Sequence, residues 1–544
     1  MCGIYLNVGN NKFAEFEKIK HRGPDGSQYL IKKYNGDKHI YYGFHRLSII
    51  NPQSGINQPF QIANLVVLCN GEIYNWTDLK YLVGRPNIKS DCEIIPYLYL
   101  HYGSNFATMI KALDGEFAII LHDLNKNIIY AARDFMGIRP LYYNLKNGEL
   151  QIASELKAIN GGRHILPRTI YSFGGNNSIT EMATSTYWNF PISMQTADGN
   201  ICSAMYNNND TVHTANDKIV HNTILRDLYN IISTSVKSRM NTDRPLGCLL
   251  SGGLDSSIVA ALAHKINPNI RCFVIGTANS PDVIAAKKVA DWMSAQLTII
   301  PFDMDDGIAA IKDVIWALET YDVTTVRAST PQYLMAKWIS KNTDIKVILS
   351  GEGSDELFGG YLYSKLAPSA GHLYQDRKRL LNELYMFDCL RTDRTMAAFG
   401  LEVRVPFLQN DLVKYVLNLD PQLFMSKDVP EKNVLRQMAI KYELLPPEIA
   451  MRRKEAFSDA VDFSWKNYIS KHCKNLSDNQ IEKKYFAITS AISAVPYNDE
   501  SFYYKQIFDC YYNSDILPHY WMPQWADAND PSATVLDVYR ACET

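Results

Sequence analysis

The apolar pattern of the chain changes character near residue 223, and that change restricts the fold more than any single motif. Over residues 1–180, short apolar runs such as NLVVLCNGEIY, GEFAIILHDL and NIIYAARD are broken by Gly, Asn and Asp, which predicts a strand-rich half. From about residue 223, runs with helical spacing (ILRDLYNIISTSVKSRM, SSIVAALAHKI, DVIAAKKVADWM) alternate with short apolar strands (PLGCLL, RCFVIG, LTIIPF). That alternation predicts a parallel sheet covered by helices. The 544 residues also exceed the roughly 250–300 at which a single core stops growing, so at least two domains are expected. Between the halves, TADGNICSAMYNNNDTVHTANDKIVHN is rich in Asn, Thr and Asp without an apolar period, and reads as a linker or surface insertion. The expected division is 2–185, a linker at 186–222, a second domain at 223–520, and an irregular Pro- and Asp-rich tail at 521–544.

Charge and cysteine usage exclude several function classes. A net charge of −2 provides no global field to attract nucleic acid or an anionic membrane. No segment approaches ~18 uninterrupted apolar residues, and no basic stretch followed by an apolar run opens the chain. The ten Cys are scattered, with no CxxC pair and no zinc-type spacing, as in a protein of a reducing compartment. A cytoplasmic location is expected.

LGCLLSGGLDSSIVAAL reads as strand, tight polar turn and helix. The paired glycines let the backbone approach an anion, Ser251, Ser256 and Ser257 add hydroxyls, and the helix N-terminus adds partial positive charge. This is a phosphate site of an unusual kind, because neither GxxxxGK[ST] nor GxGxxG occurs in the chain. SGGxDS resembles the pyrophosphate loop of the ATP pyrophosphatases, which cleave ATP between its α- and β-phosphates; on that resemblance Asp255 is a candidate for holding Mg2+. A second acidic turn, KVILSGEGSDELFGGY, carries Glu352, Asp355 and Glu356 just after another strand. Ligands of open α/β sheets sit beyond the carboxyl ends of strands, so the two turns are expected to bracket one nucleotide.

The chain opens MCGIYLNV, with a thiol at position 2. If Met1 is removed, Cys2 carries both a thiol and an α-amine with a pKa of roughly 7.7–8.0, so one residue supplies nucleophile and general base. A buried apolar Cys starting a strand is the plainer alternative for this residue alone. Acyl transfer also needs an oxyanion site, for which CNGEIYN offers Asn70 and the N–H of Gly71. Glu72 and, in SDCE, Asp91 are candidate partners for a substrate ammonium, while Arg46 in HRLSII is a candidate clamp for a carboxylate. Together these describe a pocket for the amino acid glutamine.

MCGI, HRGPDG, HRLSI, NGEIYN and SDCE resemble the class II glutamine amidotransferases, and with SGGLDSS they resemble the glutamine-hydrolysing asparagine synthetases. ETYDVTTVRASTPQYLM, SGEGSDELFGGYLY, MFDC, EVRVPFL and RRKEAFSD add to that likeness, which runs from Cys2 to about Lys466 and recurs weakly in NDPSATVLDVY. The resemblance implies an α+β N-terminal-nucleophile αββα sandwich, followed by an α/β parallel-sheet ATP pyrophosphatase domain with helical additions. It implies that Cys2 is the nucleophile, that Asn70 and Gly71 form the oxyanion hole, and that Arg46, Leu47, Ser48, Ile49, Ile50, Glu72 and Asp91 meet glutamine. Leu249, Ile275, Ser350 and Gly351 would line the adenine–ribose side, with Ser251, Gly252, Gly253, Asp255, Ser256 and Ser257 around pyrophosphate. Thr325, Arg327, Glu352 and Asp355 would lie near aspartate and its adenylate, Lys454 would neutralise charge building on phosphorus, and Asp255 and Asp355 would hold Mg2+. Lys89 departs from the pattern by standing where the family usually has Gly.

The implied reaction is a C–N ligation. ATP converts the β-carboxylate of aspartate to β-aspartyl-AMP, and ammonia freed from glutamine displaces AMP, yielding asparagine, AMP, pyrophosphate and glutamate. The ammonia must travel unprotonated, which calls for an apolar passage between the domains. Expected partners are glutamine, aspartate and ATP, with no nucleic acid, no membrane, and a homodimer as the assembly. β-Lactam synthetases usually lack the Cys, glutamine phosphoribosyl amidotransferases have no place for SGGLDSS, and a non-catalytic sensor has no use for Cys2, Asp255, Glu352 and Lys454 together.

Overall fold

The computed structural model describes residues 1–9, 13–34, 38–53, 55, 57–159, 161–175, 179–190, 194–195, 201–202, 218–425, 429–454, 465–480, 494–512, 516–526 and 530–531. Much of the Asn-rich stretch, of EAFSD after Lys454 and of NDPSATVLDVY lies outside these residues.

Alternating apolar residues in the first half build two antiparallel sheets. One runs, edge to edge, Arg163–His164, Tyr142–Lys146, Glu149–Ala153, Gly3–Gly9, His39–Arg46, Gly26–Lys33. The other runs Thr180–Thr186, Thr169–Gly174, Ile128–Arg133, Gly115–Asp123, Leu65–Ile73, Phe60–Ile62. Period-two burial sorts their side chains: Ile4, Leu6 and Val8 meet Val66, Leu68, Ala118 and Ile120 between the sheets. Val67, Cys69 and Phe117, pointing the other way, pack under the helices Trp76–Leu82, Ile94–His101 and Phe106–Ala112. Each such side chain, fully buried, contributes about 1.5–3 kcal/mol of transfer free energy. The outer face of the first sheet is met by the 3-10 run Phe13–Arg22, through Phe16 and Ile19 packed with Tyr5. This is the layered sandwich implied by the motifs.

The second half is a five-stranded parallel sheet in the order Gln296–Ile300, Arg271–Ile275, Leu246–Leu249, Val347–Leu349, Glu402–Arg404. Its first strand in sequence lies in the middle, with the second strand on one side and the fourth on the other. Ligands bind in the crevice where strand order reverses in this way. The turns beginning at Leu250 and Ser350 leave the two strands flanking that point.

Two details differ from the expected boundaries. The helix leading into the second half begins at Lys218, ahead of residue 223. At the other end of the Asn-rich stretch, Tyr187 donates from its hydroxyl to the carbonyl of Arg133 (2.6 Å), and Trp188 packs on Phe135 and Phe190. Three aromatics in four residues bury apolar area that polar composition conceals. The tail also docks where it is described: Trp521 is buried, and its N–H donates to Asp322 (2.8 Å).

The halves meet across buried charge. Arg22 of the first half binds Asp393 of the second (2.9 Å), Arg394 of the second binds Glu155 of the first (2.7 Å), and Arg239 of the second binds Glu116 of the first (3.2 Å). Breaking such a pair leaves a buried uncompensated charge at a cost of about 3–5 kcal/mol, so the halves are held in one register.

Candidate active sites on one interface

Cys2 lies at the start of the strand Gly3–Gly9, between the edge of the sandwich and the second half. Its N–H donates to Asn70 Oδ1 (2.8 Å), and the N–H of Leu47 points at its sulfur (3.4 Å). Arg22 Nε donates to its carbonyl (3.0 Å). Asn70 is fully buried, and with Oδ1 engaged its Nδ2 has no acceptor among the described residues. A buried amide donor without an acceptor is costly to leave so, and it fits an oxygen that gains charge during a reaction. Gly71 follows with φ +151°, and a Cβ there would come 2.0 Å from the carbonyl oxygen of Glu116; only glycine brings its backbone into this position.

Burial pushes the Cys2 thiol up to about 11, against the pull of the N-terminal ammonium. Thiolate is then scarce at neutral pH, so attack requires a base beside the sulfur. Met1 is 1 % exposed, with its ammonium 3.3 Å from Glu402, and in this form the nitrogen of Cys2 is an amide.

Around the thiol, Arg46 is half-buried and no ion pair occupies its guanidinium among the described residues. Leu47, Ser48 and Ile49 are buried and Ile50 half-buried; Ser48 N–H donates to Asp25 (2.8 Å), and its hydroxyl has no partner among the described residues. Leu47 and Ile49 pack on Val347 of the parallel sheet, with Cys2, Ile50 and Leu246 at the margin. Glu72 and Asp91 are buried, and burial raises both above the usual carboxylate range. Asp91 raises Glu72 further, while Arg404 opposes the shift. Asp91 accepts from the N–H of Ile73 (2.9 Å). Lys89 is exposed, and only its backbone takes part, donating to Glu93 (3.1 Å).

At the reversal of strand order lies a cleft whose walls include Leu249, Ser251, Gly253, Asp255, Ser256, Ile275, Ser350, Gly351, Glu352, Asp355 and Lys454. The first turn is knit by its own hydroxyls: Ser251 and Ser256 oxygens stand 3.0 Å apart, and Gly253 N–H donates to Ser251 Oγ (3.3 Å). The second turn abuts it directly, since a Cβ on Gly351 would lie 2.7 Å from the nitrogen of Ser256. Ser354 donates to Asp255 Oδ1 (2.7 Å).

Lysines face the acids. Lys432 Nζ lies 2.6 Å from Asp255 Oδ2 and 2.6 Å from Asp355 Oδ1, and Lys454 pairs with the other oxygen of Asp355. Burial would raise Asp355, but Lys432 and Lys454 outweigh it and hold the carboxyl below its usual range. Glu352 behaves in the opposite sense: burial pushes it up to about 7 although Arg391 sits 2.7 Å away. Two carboxylates converge on the point held by Lys432, while no group of three metal-ligating side chains is present among the described residues. That donor set suits Mg2+ bound through one or two carboxylates together with substrate phosphates.

Four expected residues stand off the cleft. Gly252 turns away at φ +71° against Ala285 and Ala286, and Ser257 faces the core from the first turn of its helix. On the helix Val323–Asn342, Thr325 donates to Asp322 (2.6 Å), and Arg327 is locked onto Glu500 (2.7 Å) and Asp530 (2.9 Å) at 2 % exposure. Thr324 and Ala328, one turn apart on the other face, line the cleft instead. Lys432, Asp388 and Arg391 also line it and were not anticipated. Asp388 belongs to the noted MFDC stretch, whereas Lys432 stands in ordinary polar sequence at φ +57°.

With both sites in view, comparison with known proteins is informative. A glutamine amidotransferase domain model matches residues 1–172, and an asparagine synthase model matches residues 227–379 and 365–526. A probable glutamine-hydrolysing asparagine synthetase of Acanthamoeba polyphaga mimivirus is 38% identical over 99% of this chain and 100% of its own length. The glutamine-hydrolysing asparagine synthetases of Gallus gallus (37%) and Homo sapiens (38%) each align over 99% of both chains.

Proposed function

This chain belongs to the glutamine-hydrolysing asparagine synthetase family, and on that footing we propose that it makes L-asparagine from L-aspartate, ATP and the side-chain nitrogen of L-glutamine, with the residues above in the following roles. The proposed division places glutamine hydrolysis in residues 2–185 and synthesis in residues 223–520.

Removal of Met1 turns the nitrogen of Cys2 into an amine, which takes the thiol proton as sulfur attacks the glutamine amide carbon. Asn70 Nδ2 and the N–H of Gly71 receive the oxyanion, and the amine passes its proton to the departing ammonia. Water then cleaves the thioester to glutamate. Arg46 takes the α-carboxylate of glutamine, while Glu72 and Asp91 take its ammonium. In the cleft, a β-carboxylate oxygen of aspartate attacks the α-phosphorus of ATP and pyrophosphate leaves; Ser251, Gly253, Ser256 and Lys454 meet the transferring charge. Mg2+, held by Asp255, Asp355 and phosphate oxygens, would supply further neutralisation there. Ammonia attacks the acyl carbon of the adenylate, and Glu352 accepts the surplus proton as AMP departs. A carboxyl near neutrality is suited to that exchange.

The observation that carries this reading is a continuous link between sites. Val347 shares a cluster with Leu47, Ile49 and Cys2, and Glu352 follows five residues later in the chain. The strand Val347–Leu349 is wholly buried and apolar, and the turn Ser350, Gly351, Glu352 that follows it lines the cleft, so one short segment of chain runs from the surroundings of the thiol to the nucleotide site. Eight of the cysteines are free thiols, which supports extending the reading to a reducing, cytosolic setting. No described helix is long and apolar enough to cross a membrane.

The test is direct. With ATP, Mg2+, aspartate and glutamine, the protein should release AMP, pyrophosphate, asparagine and glutamate in equal amounts, from a chain whose N-terminal mass lacks Met1. Formation of ADP, or nucleotide turnover that leaves aspartate unchanged, would overturn the assignment.

A further inference from the structure

Glu72 is an awkward choice for gripping an ammonium. It is buried beside a second buried carboxylate, Asp91, and both effects favour its uncharged form. Such a group stays ionised only if a cation stands behind it. Facing Glu72 are Asp91, Glu402, the N-terminal nitrogen and Arg404. Of these, Arg404 is the guanidinium within ion-pair reach, with Nη2 3.4 Å from Glu72 Oε1.

Arg404 comes from the other half of the chain, at the end of the edge strand Glu402–Arg404 of the parallel sheet. Its remaining donors are committed: Nε to Glu402 (2.9 Å), and Nη1 to the carbonyls of Arg239 (2.9 Å) and Asn241 (2.7 Å). Nη2 is fully buried and makes no directed hydrogen bond among the described residues. It therefore presents charge to Glu72 without saturating the oxygens that a substrate ammonium needs. The main-chain carbonyl of Arg404 meanwhile accepts from the N–H of Ser350 (3.0 Å), where the second nucleotide turn begins.

Resting on the proposed glutamine site, we propose that Arg404 is a positioning residue for glutamine hydrolysis: from the synthetase half, it keeps Glu72 a carboxylate, so the glutamine pocket is complete only when the two halves are joined. Lysine at this position keeps a cation but loses the two bonds to Arg239 and Asn241. Glutamine keeps hydrogen bonding but loses the cation.

The experiment measures glutamate release against glutamine concentration, from pH 6.5 to 8.5, for the full-length wild type, Arg404→Lys and Arg404→Gln. Ammonia-dependent asparagine formation reports whether each variant's synthetase half is folded. Arg404→Gln is expected to raise KM for glutamine about tenfold or more at pH 6.5, with kcat changed less than about threefold. Because a carboxyl deprived of its cation ionises only at higher pH, that deficit should shrink as pH rises. Arg404→Lys should keep a wild-type, flat KM profile. An unchanged KM in Arg404→Gln, a KM raised by the same factor at every pH, or a lysine variant as impaired as the glutamine one each overturns the proposal. If Arg404→Gln does not fold, Arg404→Lys decides alone: near-normal KM with a lowered Tm supports the role, and a tenfold rise in KM removes it. A wild type that hydrolyses no glutamine sinks the reading of Cys2 as well; loss confined to the variants' predicted pH behaviour sinks only the role of Arg404.

Discussion

The thiol site and the nucleotide cleft solve opposite electrostatic problems. Around Cys2, polarity is withheld: the sulfur is desolvated, Asn70 Nδ2 has no acceptor among the described residues, and Glu72 and Asp91 are raised by burial. In the cleft, charge is abundant and already balanced, with Lys432 spanning Asp255 and Asp355, Lys454 on Asp355, and Arg391 on Glu352. The contrast follows from the substrates. Glutamine brings one cation and one carboxylate and, on the proposed assignment, would be recognised by filling gaps. ATP brings several negative charges, and lysines already ion-paired to aspartates can exchange those partners for phosphates; on the proposed reading the freed carboxylates would hold a divalent cation.

If the sites are that distinct, substitutions should separate them. Cys2→Ala should lower glutamine-dependent synthesis by at least about 10³-fold, since nothing else supplies the nucleophile, and leave ammonia-dependent synthesis within about twofold. A parallel assay with each nitrogen source checks this, and equal loss from both would merge the sites. Lys454→Met should behave in mirror image, losing about 10²–10³-fold in adenylate formation, followed as pyrophosphate release, while glutamate release persists. Lys432→Met leaves Asp255 and Asp355 facing each other without their shared cation, and a stability loss of about 3–5 kcal/mol is expected by denaturant titration without nucleotide. Added Mg2+ should recover part of it, which a merely packed lysine would not explain.

The smallest effect concerns pH. Glu352 has a pKa raised by burial to about 7, so in the folded chain its charge appears as pH rises through neutrality. A synthesis step that needs the carboxylate should accelerate by a few-fold to tenfold between about pH 6 and 8, and Glu352→Gln should lose that limb along with most of its rate. A wild-type profile flat across this range would place the proton acceptor elsewhere.

Much of both sites was legible because their chemistry is local. SGGLDSS joins turn, hydroxyls and helix start within seven residues, and CNGEIYN joins amide, glycine and acid within one strand and its end. Where a motif said too much, periodicity decided: ETYDVTTVRASTPQYLM marks the right helix, but its helical phase sends Thr324 to the cleft and buries Thr325 and Arg327. Trp188 escaped notice because its burial depends on Phe135 and Phe190, the first of them far away in sequence.

Sequence alone determined which backbone turns exist, where the chain places its candidate nucleophile and which half each belongs to, because these depend on neighbours a few residues apart. Tertiary structure decided the charge states. Lys432 reaches Asp255 across 177 residues, Lys454 reaches Asp355 across 99, and Arg404 stands behind Glu72 from the opposite half. The ionisation of a buried group is set by what lies within a few ångströms in space, and only folding brings those partners together.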